Sequence, residues 1–263
     1  MHTVHAITTI AYRDFLKFAR DRGRIFGSLI FPLIFIGILG GSMNSSLGAK
    51  IGYDFLVYVF VGIIAQTMFQ SSALGLISLI DDRENDFSQE IFVAPISRYA
   101  IVFGKIVGES AVSLAQGLGV LLFVSLMGIR LTVPSAIALL PAAIAGCLLG
   151  GAFGLLILTN LKSRRGAEQI FPLILLPQFF LAGVMNPIRE LDFPINVLSY
   201  ISPMRYSVDL ARGLFYGASA PYRADYPEVV LASPAFNLVV MTAIFALCLV
   251  VGTVRFVRSE RNR

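Results

Sequence analysis

The sequence is poor in the groups that do chemistry in water. It has two histidines, His2 and His5, both at the N-terminus and outside every apolar run. That argues against an intramembrane Ser–His hydrolase and against a His-ligated metal site. Its two cysteines, Cys147 and Cys248, sit singly in separate apolar runs, too few for a metal pair and silent about redox compartment. Tryptophan is absent. So is the pattern G-x-x-x-x-G-K-[ST]: Gly104-Lys105 is followed by Ile106 and position 99 is Tyr99, which leaves the chain without a phosphate loop of its own. Charge is scarce as well. Charged residues make up 14% of the chain and hydrophobic ones 56%, where soluble domains carry about a quarter charged.

What is present is a series of apolar runs, each long enough to cross a bilayer, which takes roughly 20 residues. They are continuous and lack the ten-residue alternation of barrel strands. Lipid obliges each to satisfy its own backbone, so the expected fold is an all-α integral membrane protein. Six transmembrane helices are expected at 25–43, 53–80, 101–129, 133–159, 170–185 and 234–254, in one transmembrane domain over 1–263. The first run follows basic residues as a signal peptide would, but it is too long for a typical h-region and no A-x-A-like site follows it, so it reads as a retained span. Before it, residues 4–24 form an amphipathic helix: Ile7, Ala11, Phe15 and Phe18 share one face, and Arg13, Lys17, Arg20 and Arg24 step along another. Two accounts of that basic edge stand open, an interfacial helix on lipid headgroups and a topological signal. Both put the N-terminus in the cytoplasm. Of the 21 Lys and Arg, fifteen fall in segments that six spans place inside, so both termini are expected to be cytoplasmic. The formal charge of +5 then reflects topology and membrane lipids, with no nucleic acid as partner.

The stretch 81–105 interrupts the pattern most. Five acids (Asp81, Asp82, Glu84, Asp86, Glu90) precede the apolar Ile91-Phe92-Val93, and Pro95, Ser97 and Arg98 follow. A tether needs only a few polar residues; an amphipathic turn with a proline stop suits a docking element. Over 82–98, Asp82, Arg83, Glu84, Asp86, Glu90, Ile91, Phe92, Pro95 and Arg98 are expected to pass motion between a cytoplasmic partner and the spans. The outer segment 186–233 is too hydrophobic for a simple loop. Ser202-Pro203 offers an N-cap and first-turn proline, after which Met204, Val208, Ala211 and Phe215 alternate with Arg205, Asp209 and Arg212. With a shorter candidate at 194–201, this predicts two short re-entrant helices between spans five and six.

Polar residues inside spans point to a pathway. Gln66 and Gln70 share a face of span two, and Glu109, Ser113 and Gln116 form a stripe in span three. Glu109 also lies four residues from Lys105, so an interfacial ion pair competes with a pathway role. Ala138, Ala142, Gly146, Gly150 and Gly154 make a ladder of small residues in span four, echoed by Gly104 and Gly108 and by Gly37 and Gly41. Such faces let helices approach closely, within one chain or between two. Pro177 should kink span five, as strain relief or as a hinge.

Together these residues resemble the ABC-2 family of ABC-transporter membrane subunits, above all the daunorubicin-resistance-type exporters, over nearly the whole chain. The most specific parts are EIFVAPISRYAIVFGK, with Glu90, Pro95, Ile96, Ser97, Arg98, Gly104 and Lys105 matching, and LSYISPMRYSVDLARGLFYG, with Pro203, Tyr206 and Arg212 matching. One departure is Asp86-Phe87-Ser88, where many members have an acid followed by glycine; it bears on where the coupling helix starts. The resemblance implies a permease in a bacterial-type cytoplasmic (inner) membrane that is not itself an enzyme. A separate ABC ATP-binding subunit would hold ATP and Mg, with no cofactor in this chain, and a second permease copy, identical or homologous, would complete the path. It further implies Pro203, Tyr206 and Arg212 as outer gate candidates, and Lys162, Arg164, Arg165 and Glu168 as a second, weaker cytoplasmic contact. With no tryptophan and few polar groups in the spans, the expected cargo is an amphipathic drug, lipid or lipid-linked molecule moved outward, with a lipid-linked polysaccharide exporter as the nearest alternative. A self-contained channel or secondary transporter belongs to another class, and it usually shows buried coupling acids or paired broken helices that are not visible here.

Overall fold

The computed structural model describes residues 2–41, 52–84, 97–161, 163–190 and 192–261, and every regular element among them is helical. Helices begin where a short polar side chain can take one of the four N–H groups that a helix start leaves unpaired. After α1 (His2–Arg20), Asp21 caps α2 (Arg22–Ile34), its carboxylate accepting the Arg24 N–H at 2.9 Å. This helix runs on through a wider π turn, Phe35–Gly40. Asp54 caps α3 (Phe55–Gly75) by accepting from the Leu56 and Val57 N–H groups. A turn at Leu76 and Ile77 then leads into α4 (Ser78–Glu84), so the run expected as a span at 53–80 carries a turn near its end. Ser97 caps α5 (Arg98–Leu126). Thr132 and Ser135 form a reciprocal capping box at α6 (Val133–Leu158). Ser163 starts α7 (Arg164–Leu181) ahead of the apolar run, and the helix continues through Pro172 and Pro177. The segment 186–233 holds α8 (Ile195–Ser199), α9 (Pro203–Ala218) and α10 (Tyr226–Val229) before α11 (Pro234–Arg261).

The centre of the molecule is α3. In its most apolar window 72% is buried, against 22% for α11 at the edge. It packs on α5, α6 and α9, and the small-residue ladder of α6 makes this possible. A β-carbon on Gly150 would stand 2.1 Å from the Phe69 carbonyl oxygen, and one on Gly154 2.5 Å from that of Ala73. At those two rungs the backbones touch, and overpacking such a seam costs typically about 1–3 kcal/mol. Both rungs are therefore used inside the chain. The smaller pair, Gly104 and Gly108, receives Ile10 and Ala11 of α1, which lies along α5.

The outward faces are apolar: Leu122 and Leu126 on α5, Ile137 and Ile144 on α6, Val239 and Val250 on α11. In water such faces would invite association; around a bilayer they are the required surface. By length and composition, four helical stretches among the described residues suffice to cross a membrane: Phe55–Asp82, Arg98–Leu126, Val133–Leu158 and Pro234–Arg258.

Candidate functional site

Between α2, α3 and α5, with α4 and α7 at one end, lies a cavity of about 660 Å³. Its long wall is polar. Gln66, Thr67, Gln70 and Ser71 come from α3 and Gln116 from α5. Spacing of three and four along α3 stacks these side chains on one face. The Gln66 amide donates to Gln70 Oε1. Gln66 is 2% exposed and Thr67 7%, yet Gln66 Oε1 and Thr67 Oγ1 find no hydrogen-bond partner among the described residues. Buried polar atoms in folded proteins are almost always paired, with protein or with water. Apolar lining comes from Phe31 and Pro32 of α2, beside Arg24 and Ser28 of the same helix, and from Leu74, one turn beyond Gln70 on α3.

Of the five pathway candidates, the structure brings Gln66, Gln70 and Gln116 to the cavity; Glu109 and Ser113 stand outside its lining. Ser113 donates to the Glu109 carbonyl within α5 at 2.7 Å. The Glu109 carboxylate sits behind the wall, where it accepts from Arg24 Nη2 at 3.2 Å and Ser78 Oγ at 3.3 Å. It fits there because position 75 is glycine: a β-carbon on Gly75 would lie 2.0 Å from Glu109 Oε2.

Behind the cavity is a buried lattice of charge. Lys105, 1% exposed, places Nζ 2.8 Å from Asp82, 3.1 Å from Asp14 and 3.0 Å from Ser78 Oγ. Arg13 bridges Asp14 and Asp82 at 2.9 and 2.7 Å, and Lys17 reaches Asp82 at 3.7 Å. Burial works against the Arg13 cation, but the charges of Asp14 and Asp82 outweigh it and raise its pKa above the ordinary arginine value. The lattice ties α1 to α4 and α5. Part of the basic edge of α1 thus faces protein, not headgroups, and Lys105 turns to Asp14 and Asp82 where local spacing suggested Glu109. Asp14 escaped notice in the sequence although a signal was there. It lies on the apolar face of α1, three residues from Ala11 and four from Phe18, and an acid in that position wants a buried cation.

Among the docking residues, Asp82 is engaged by this lattice, and Arg98 donates to the Val257 carbonyl of α11 at 3.4 Å. Arg83 and Glu84 close α4, with side chains that lie outside the described residues, as do Asp86, Glu90, Ile91, Phe92, Pro95 and Lys162. Arg164 pairs with Asp81 at 2.9 Å and with Glu168 at 2.8 Å; all three line the charged end of the cavity. Arg165 is exposed beside them.

The three outer candidates all lie on α9. Pro203 opens it and is buried. Tyr206 donates to the Tyr200 carbonyl at 2.9 Å. Arg212, 1% exposed, donates to the Gly183 and Val184 carbonyls at 2.7 and 3.2 Å, and its guanidinium lies 3.6 Å over the Tyr58 ring. Asp209, in the sequence one member of the charged stripe with Arg205 and Arg212, accepts from the Leu231 and Ala232 N–H groups and from Asn237 Nδ2 at 2.7–2.9 Å.

Four helical stretches long and apolar enough to cross a membrane, packed around a partly polar cavity, mark a multi-pass membrane protein. The family model for ABC-2 type transporters matches residues 5–216, and the chain belongs to that family, whose members are permease subunits of ABC transporters. It is 23% identical over 222 residues to a "Putative transport permease ycf38" of Cyanophora paradoxa, covering 82% of this chain and 76% of that one. It is also 21% identical over 196 residues to "Nodulation protein J" of Rhizobium meliloti (strain 1021), covering 74% of each. The protein of the same name from Sinorhizobium fredii is 23% identical over 193 residues, 72% of each.

Proposed function

We propose that this permease exports an amphipathic drug, lipid or lipid-linked molecule from the cytoplasm, driven by ATP hydrolysis in a separate ATP-binding subunit that carries the ATP and Mg. The cavity carries this reading. At about 660 Å³ it falls within the range of drug-sized sites, roughly 300–1,000 Å³, and its lining offers both polar and apolar side chains, as an amphiphile requires. In this reading α2 with its π turn and α7 join the four longer stretches to make six spans in a bacterial-type inner membrane. Both termini are cytoplasmic, α8 and α9 dip back from the outer side, and a second copy or homologue completes the path. The charged end of the cavity then faces the cytoplasm, and the 82–98 segment docks on the ATP-binding subunit, with Arg164, Arg165 and Glu168 as a weaker contact. Closure of that subunit on ATP would favour one of two arrangements of the helices, a shift set by differential binding.

The test is charge reversal at the docking segment. Glu84→Lys with Glu90→Lys is expected to lower substrate-stimulated ATP hydrolysis and transport at least about tenfold, while the protein inserts and melts as wild type does. Transport at the wild-type rate by this double variant, in proteoliposomes with the ATP-binding subunit, would remove the docking role.

A further inference from the structure

We propose that α7 is a gate on the cavity, pinned at its C-terminal end and latched at its N-terminal end by the ion pair of Arg164 with Asp81; this rests on reading the cavity as the cargo site. Both residues line the cavity, Asp81 from α4 and Arg164 from α7. Their contact, Nη1 to Oδ2 at 2.9 Å, ties the two helices together there.

Adjacent acids hold α4 on two sides, and the two holds differ in strength. Asp82 enters the buried lattice, 2.8 Å from Lys105, which is 1% exposed, and 2.7 Å from Arg13. Asp81 meets an arginine whose side chain is 55% exposed. Unpairing a buried ionic group is costly, whereas an exposed ion pair contributes little. Motion of α4 therefore carries α1 and α5 with it and parts the Asp81 contact first. Arg164 is not stranded when that happens. Its Nε already donates to Glu168 Oε1 at 2.8 Å, one turn along the same helix. Asp81 is 25% exposed, so water reaches it.

The other end of α7 is fastened firmly. Arg212 and the Tyr58 hydroxyl both donate to the Gly183 carbonyl, at 2.7 and 2.8 Å. Phe179 meets the Phe31 and Phe35 rings edge-on, with centroids 6.2 and 5.7 Å apart. Between the two ends, Pro172 and Pro177 remove the N–H groups that would have met the Glu168 and Leu173 carbonyls, which is where a helix bends. The side chains that α7 buries ahead of Gln178 are Ala167, Phe171 and Leu175. Within a bilayer such apolar groups exchange a helix for lipid without a hydrophobic penalty.

Electron–electron distance measurements on the full-length protein in nanodiscs test the gate, with neither ATP-binding subunit nor cargo present. Spin labels go on Arg20→Cys of α1 and Arg165→Cys of α7, both exposed positions, and labelled protein is diluted with unlabelled so that distances within one chain are read. Cys147 and Cys248 are buried, and signal from the parent protein is subtracted. A tilt of about 20° over the roughly 12 Å from Pro172 to Arg164 moves that end by about 4 Å. Asp81→Asn and, separately, Arg164→Gln are expected to raise the share of the longer distance about threefold, as loss of an exposed ion pair implies. Glu168→Gln, which leaves Arg164 only Asp81, should not raise it. A second label pair at the pinned end, Val133→Cys with Asn186→Cys, should read the same distance in every variant. Unchanged distances in both latch variants, a rise in Glu168→Gln equal to theirs, or equal movement at the pinned end overturns the proposal. Failure here is separate from failure of the cargo reading or of the docking test, which are read by transport.

Discussion

Lys105→Met is expected to destabilise the protein by about 3–5 kcal/mol, the usual cost of removing one partner from a buried ionic group. Lys105 is 1% exposed and Asp14 3%, so the substitution leaves Asp14 Oδ2 beside a methyl group without its cation, where water cannot reach it. Arg13 still holds Asp14 Oδ1 at 2.9 Å and Asp82 at 2.7 Å. The check is thermal unfolding in detergent micelles. Adding Asp14→Asn to Lys105→Met should recover a large part of the loss, since the neutral amide needs no cation. A melting temperature within a degree of wild type for Lys105→Met would mean that the lattice holds nothing. The functional consequence follows from position. Lys105 on α5 joins α1 to α4, and α4 ends at Glu84, within the proposed docking segment, so loosening the lattice should also blunt the ATPase stimulation that accompanies transport.

Arg212→Leu is the other large loss expected, about 3 kcal/mol, from a Val184 carbonyl that loses its donor, a Gly183 carbonyl that loses one of two, and a lost cation–π contact. The guanidinium spans Gly183 and Val184 while lying on Tyr58, and the Tyr58 hydroxyl donates to the same Gly183 carbonyl at 2.8 Å. One ammonium cannot both fork and stack, so Arg212→Lys should recover less than half the loss. Thermal unfolding again reads the effect. The result also separates two roles for Arg212. A residue that ties α9 to the end of α7 lowers the melting temperature when lost, whereas a gate residue leaves it unchanged and alters transport alone.

Local patterns in the sequence carried the parts of the structure that are themselves local. Apolar runs, the helix start at Ser202-Pro203 and the small-residue ladder on α6 all depend on neighbours a few positions away. What the pattern could not say was where that ladder packs; Gly150 and Gly154 meet α3, about 80 residues earlier in the chain. Charge pairing was the least legible. Lys105 and Glu109 share a helix face, which suggested a pair. Their partners, Asp14, Asp82 and Arg24, come from other helices brought near by packing, and no spacing rule reaches that far. The cavity was half legible. Gln66, Gln70 and Gln116 stood out as polar groups in apolar runs, whereas Thr67 and Ser71 passed unnoticed because small hydroxyls are common in spans.

The central claim is that the polar cavity carries the cargo and that a separate subunit supplies the energy. Ser71 lies on the cavity wall and is only partly buried, so Ser71→Phe fills the cavity without disturbing the charge lattice. The decisive measurement is ATP-dependent uptake of a labelled amphiphile into inside-out proteoliposomes holding this chain and its ATP-binding subunit. The account predicts that Ser71→Phe lowers uptake more than tenfold while the complex stays assembled. Undiminished uptake with the cavity filled, or uptake by this chain with no ATP-binding subunit present, would contradict it.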